Sequence, residues 1–200
     1  MRTRAAWLVS LSLLVTSTGR AQSAHPLFGV GFALAVPNGT YHSDVSGEGF
    51  DTGFLGAILV GVRLPKAPVV FRVAGSYSEN GANEQLKTDL SNRIGQPTDA
   101  KFHLVGAMFD VAYEFGKSFR RVYLLGGGGP YRVQSSVTSG GVTADTSETK
   151  FGWNVGGGIT WDVSNSGIFV EARYVRIAGA FGAPAVTFMP LEAGIRFGGH

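Results

Sequence analysis

The chain of 200 residues contains no cysteine. Disulfides, thiolate zinc sites and cysteine nucleophiles are therefore excluded together. Charge is sparse, at 16% of residues. After residue 21 no run is long and apolar enough for a transmembrane helix. What it does have is glycine, 30 residues, about twice the usual share. No Gly-X-Y period accompanies it, so a collagen-like chain is excluded. Val, Ile, Leu, Met and Phe make up about 30% of the chain, too much for a disordered one. The length suits one domain of ordinary size.

Residues 1–21 read as an export signal. Arg2 and Arg4 form a charged start, and Ala5–Val15 (AAWLVSLSLLV) is an apolar stretch too short to span a bilayer. Gly19 and Ala21 place small residues before a cut after Ala21. Residues 22–200 then form one barrel domain. Arg2, Arg4 and Arg20 leave with the signal, and no acid does. The remaining fourteen Lys and Arg balance fourteen Asp and Glu, so the +3 of the precursor gives no warrant for nucleic-acid binding.

Eight segments alternate in character with a period of two, the signature of strands. They lie at about 27–36, 52–63, 68–78, 101–115, 120–134, 149–162, 168–178 and 187–198. In the first, Phe28, Val30, Phe32, Leu34 and Val36 share one face, while Gly29, Gly31, Ala33 and Ala35 share the other. In the sixth, Phe151, Trp153, Val155, Ile159 and Trp161 oppose Gly152, Asn154, Gly156, Gly158 and Thr160. A soluble barrel or sandwich would crowd these aromatics into its core and leave glycine facing water. A narrow membrane barrel turns the bulky face to lipid and fills its interior with small and polar side chains, and fits the pattern better. Parity assigns Arg63, Arg72, Arg132, Lys150, Arg173 and Arg196 to the interior, against Asp110, Glu114, Asp162, Glu171 and Glu192. Such near balance is what buried charges require.

The connections support this reading. Short turns at 64–67, 116–119 and 164–167 alternate with long loops at 37–51, 79–100 and 135–148, the rhythm of periplasmic turns and outer loops. The long loops are acidic, and the short turns carry Lys66, Lys117, Arg120 and Arg121. Two aromatic belts are expected, with Tyr113, Phe115, Tyr123, Trp161 and Phe197 near the short turns and Tyr77, Tyr131 and Trp153 near the long loops. Within the second long loop, Leu86, Leu90 and Ile94 form one helical stripe, followed by Gly95 and Pro97. This predicts a short helix over 82–94, packed on the rim near Tyr77 and Phe102.

The export signal, the eight alternating segments, Phe169–Tyr174 (FVEARY) and the final strand Leu191–Phe197 (LEAGIRF) together resemble the small eight-stranded outer-membrane β-barrel proteins of Gram-negative bacteria, the porin-like OmpA/OmpX class. The resemblance covers residues 26–198. It implies an all-β, antiparallel, up-and-down transmembrane barrel in the cell outer membrane. It also implies contact with outer-membrane lipid and lipopolysaccharide. The aromatic end of the last strand, Phe197, implies recognition by the barrel assembly machinery, although Gly198, Gly199 and His200 follow it here.

Chemistry is hard to place on this frame. The glycine runs 126–129 and 156–158 lie within strands and lack a following Gly-Lys-Ser/Thr, so they are not phosphate loops. His42, Ser43 and Asp44 are consecutive, which suits a solvated loop better than a triad. His103 opens the fourth segment at the same end. The acidic loops lack EF-hand spacing. No residue is therefore assigned a catalytic, cofactor-binding or metal-binding role, and no cofactor or nucleic acid is expected. The expected function is a non-enzymatic barrel with a filled interior and a structural or adhesive surface role. The alternatives are a lipid A-modifying enzyme and a narrow channel or small-ligand binder. No surface ligand can be named from the sequence.

Overall fold

The computed structural model describes residues 24–44, 46–116 and 119–198. The export segment, Lys117, Ser118 and the last two residues lie outside them. Alternation builds the strands. Along β1 (His25–Asn38), Phe32 is 78% exposed, Ala33 8%, Leu34 57% and Ala35 0%. Within the barrel ring the same rhythm continues through β2 (Gly53–Arg63), β3 (Val69–Gly81), β4 (Thr98–Phe115), β5 (Arg120–Ser139), β6 (Val142–Val163), β7 (Ser166–Ile177) and β8 (Val186–Gly198). Each strand pairs antiparallel with the next, and β8 returns to β1 to close the barrel. The closing seam sets Phe28 opposite Phe197 and Leu34 opposite Leu191. Closure gives every main-chain donor and acceptor in the ring a partner, the condition for strands in lipid.

The bulky residues named above do face outward: Phe28, Leu34, Val155, Leu191 and Phe197 are exposed around the barrel. His25 and Gly198 stand at one end with the short turns. The other end carries the long connections.

Two of those connections hold structure of their own. The first begins with a single 3₁₀ turn, Gly39–Tyr41. The second contains helix α1 (Glu84–Ile94), two residues shorter at its start than expected. The Asn83 side chain accepts from the Leu86 amide at 2.9 Å, and Gly95 ends the helix in the left-handed conformation at φ 78°. The apolar stripe packs only in part: Leu86 and Leu90 are half-buried, and Ile94 is exposed. Tyr77 takes no part in seating the helix; it faces outward beside Phe54 at 6.0 Å. What seats α1 is β4, through Thr98 N to Ser91 Oγ at 2.9 Å and Ala82 N to Ala100 O at 2.8 Å.

The third long connection is not a loop. β5 and β6 stay paired to Ser139↔Val142, with Gly140 and Gly141 at φ 55° and 80° as a two-residue turn. Two successive positive φ angles are the type I′ hairpin geometry that Gly-Gly supplies. β4 keeps pace, pairing Thr98 with Ser139, so a three-stranded sheet continues past the barrel's outer end.

Candidate functional site: a filled interior beneath an outer mouth

The interior is stacked in layers. Nearest the short turns, Arg63 Nη2 bonds Glu114 Oε1 at 2.7 Å, and Arg196 bridges Glu114 Oε1 at 3.3 Å and Asp162 Oδ1 at 2.8 Å. Arg121 joins the same group through Asp162. Above it lies an apolar layer that includes Leu27, Leu59, Val70, Leu125 and Phe169. A second ionic group follows at mid-barrel. Arg72 Nη2 reaches Glu171 Oε2 at 2.8 Å, and Arg173 Nη1 reaches Asp110 Oδ2 at 3.0 Å while also pairing with Glu171. Asn154 donates to Asp110 at 2.8 Å, and the Tyr123 hydroxyl donates to Glu171 at 2.8 Å. Glu192 shares this depth but has no cation within ion-pair distance among the described residues. The outer third is apolar again, with Leu55, Leu104, Met108, Val133, Ile177 and Phe188.

Charge balance explains the arrangement. Five arginines (63, 72, 121, 173, 196) pair with four carboxylates (110, 114, 162, 171), and Glu192 brings the buried charges level without an ion pair of its own. Isolated buried ions are costly, and only mutual pairing makes such an interior tolerable. Glycine clears the room. A Cβ at Gly31 would overlap the Glu192 carboxylate, one at Gly127 the Asp110 carboxylate, and one at Gly158 would lie 2.6 Å from the Tyr123 oxygen.

The sequence parity needs three corrections. Arg132 faces outward and donates to Ser147 Oγ at 3.1 Å. Lys150 lies above the interior, half-buried and paired with Glu148 at 2.8 Å. Arg121, expected at the turn edge, is an interior residue. The belts change with them: Tyr123 and Tyr131 are buried inside, whereas Tyr113, Phe115, Phe197, Tyr77 and Trp153 do face outward. The cause is local. In β5 both faces carry bulk, with Val122 and Leu124 on one and Tyr123 and Leu125 on the other, so alternation alone does not choose the inner face. The signal that does is register, since Arg120 pairs with the outward Trp161.

Two interior voids have volumes of about 20 Å³ each, room for roughly one water apiece. A wider space opens at the outer mouth, a cavity of about 390 Å³ between the first loop, α1 and the last loop. Its floor is a cluster of three rings: Tyr41 lies 5.3 Å from Phe50 and 5.1 Å from Phe102, with Phe50 and Phe102 5.2 Å apart. Burial pushes the Tyr41 phenol well above its ordinary range, so it stays protonated.

The histidine, serine and acid of the first loop are not assembled for catalysis. Ser43 Oγ donates to the Asp44 carbonyl at 3.1 Å, and Asp44 Oδ1 caps the amides of Ser46 and Glu48 at 2.7 and 3.1 Å. His103 is on the outer face of β4, 3.0 Å from the Tyr77 hydroxyl and 3.5 Å from Glu79.

An apolar outer surface around a paired, filled interior defines an integral membrane β-barrel. No helix among the described residues is long and apolar enough to cross a membrane; the strands do so. The chain belongs to the outer membrane protein beta-barrel domain family, whose model matches residues 8–195. Its place is the cell outer membrane, in contact with that membrane's lipid. Solved structures share the fold. Neisserial surface protein A superposes with a TM-score of 0.56 at 22% identity, over 87% of this chain and 96% of that one. A major outer membrane protein from Thermus thermophilus gives 0.62 at 11%, over 86% and 99%. The attachment invasion locus protein of Yersinia pestis gives 0.53 at 15%, over 87% and 99%. No curated protein sequence matches the chain.

Proposed function

We propose that the protein works at the cell surface through its outer connections, as a structural or adhesive barrel without catalysis or conductance. The observation that carries this reading is the sheet that outgrows the barrel. β6 meets β7 only from Gly152↔Ile177 onward, whereas it pairs with β5 up to Val142. The edge from Val142 to Lys150 therefore presents main-chain donors and acceptors to solvent, a template for an extended partner strand. Its side chains are mostly Ser, Thr, Asp and Glu, with Ala144 and Lys150 among them, and Val142 is 73% exposed at the tip. The filled interior supports the absence of conductance.

The attachment invasion locus protein has been solved with the heparin analogue sucrose octasulfate. The acidic outer connections here disfavour a polyanion, so a different surface partner is proposed. Export by cleavage after Ala21 and recognition of the β8 end by the assembly machinery complete the proposal. The first is checked by the N-terminal sequence of the membrane-inserted form.

The test removes the extension. Ser135–Thr146 is replaced by Asn-Gly, which keeps Gln134 opposite Ser147 and closes the same hairpin nearer the barrel rim. Expressing cells should lose retention on protein-coated glass while the barrel keeps its heat-dependent gel mobility. Unchanged retention, a steady conductance in planar bilayers, or a protein-dependent change in lipid A mass would overturn the reading.

A further inference from the structure

The mouth cavity is not used by the strand edge, and its chemistry is specific. Its wall is apolar, built from Phe50, Phe102, Leu86 and Val186 around Tyr41. Its rim carries two carboxylates, Asp44 and Glu48, and among the described residues no lysine, arginine or histidine lines it. Neither carboxylate has a cation within ion-pair distance among the described residues; the outer cations pair elsewhere, Lys87 with Glu84, Arg93 with Asp89 and Lys101 with Glu79. Tyr41 is 5% exposed, lines the cavity, and its hydroxyl has no hydrogen-bond partner.

We propose that this mouth is a binding site for a small organic ammonium, an amine or quaternary amine with an apolar body. The volume lies within the range of small-molecule pockets. The body packs on Phe50, Phe102, Leu86 and Val186, and the nitrogen sits at Glu48 with Asp44 behind it. Aromatic faces add attraction for a cation held over them. Asp51 and Asp99, in the neighbouring outer segments, add to the negative field of the rim, which steers cations inward and turns anions away. A phosphorylated lipid would bring its charge against the rim carboxylates, so the acyl chain of a neighbouring lipid is the disfavoured occupant.

The full barrel in zwitterionic nanodiscs is titrated calorimetrically with 4-phenylbutylamine, 4-phenylbutanol and 4-phenylbutyrate, and empty nanodiscs set the background of partition into lipid. The amine should bind about tenfold more tightly than the alcohol, the gain of one charge-assisted contact. The carboxylate should give no heat above background. Glu48→Gln, an isosteric change at the rim, should bring the amine down to the alcohol's affinity. Ala185→Trp, which fills the cavity, should remove binding of both. Heat-dependent gel mobility of each variant separates lost binding from lost folding. Equal binding of amine and carboxylate, or an amine preference that survives Glu48→Gln in a folded barrel, would overturn the proposal.

Discussion

Glu171 and Glu192 are both buried carboxylates at mid-barrel, and their surroundings differ. Glu171 accepts from Arg72, Arg173 and Tyr123, while Glu192 has no paired cation and one oxygen without a hydrogen-bond partner. Removing one member of a buried ion pair leaves the other uncompensated, typically at about 3–5 kcal/mol. Glu171→Gln should therefore lower the guanidinium midpoint of the detergent-solubilised barrel clearly. Glu192→Gln should leave it unchanged or raise it, because a neutral amide is easier to bury than a lone carboxylate. Tryptophan fluorescence during unfolding reads both, and equal losses for the two would contradict the pairing described here. Both residues were visible in the sequence as inward by parity. Their difference was not, because it depends on which arginines from β3 and β7 reach across the barrel.

At the scale of the element, α1 shows how local signals suffice where they are consistent. The Leu86/Leu90/Ile94 stripe and Gly95 mark its face and end in the sequence, the helix forms within 82–94, and the structure adds the Asn83 cap at its start. Asn83→Ala should cost the helix about 1 kcal/mol, seen as faster amide exchange across residues 84–94 with the barrel amides unaffected. No change in exchange would mean that β4 alone holds the segment. The strands were legible for the same reason, since alternation over ten residues leaves little choice. The outer hairpin was not, because Ser135–Glu148 is polar on both faces and carries no alternation. Its only sequence mark is Gly140-Gly141, a pair that reads as a hairpin turn or as loop until the register of β5 and β6 is known. The mouth cavity was still less legible. It joins Tyr41, Leu86, Phe102 and Val186 from four separate stretches of chain, and only barrel closure brings them together.

For the molecule as a whole, the seam between β1 and β8 is the last contact the chain can make. Phe197 is on the outer face of that seam, its ring 6.5 Å from Phe28. Phe188 belongs to the same strand but is buried in the outer apolar layer, at 2% exposure. Truncating them should fail in different ways. Phe188→Ala should give a normal membrane yield and a barrel less stable by about 3–5 kcal/mol, the usual cost of an emptied aromatic site. Phe197→Ala should reduce the yield in the membrane, while the fraction that inserts keeps nearly wild-type stability. Quantifying the heat-dependent band alongside its unfolding midpoint separates the two, and matching profiles would remove the distinction between core and seam.

The unequal strand lengths also set a height. Val142–Phe151 runs ten residues past the point where β6 leaves β7. At about 3.3 Å per residue and a tilt near 40°, the Gly140–Gly141 tip stands roughly 25 Å above the ring where the shorter strands stop. Whatever meets the tip must therefore come within that distance of the bilayer, and a surface polysaccharide taller than this buries it. Exposure of the hairpin then becomes a property of the cell's coat as much as of the protein. An epitope inserted between Gly140 and Gly141 should be reached by antibody on cells with truncated lipopolysaccharide and shielded on cells with long saccharide chains, at equal amounts of folded barrel in both.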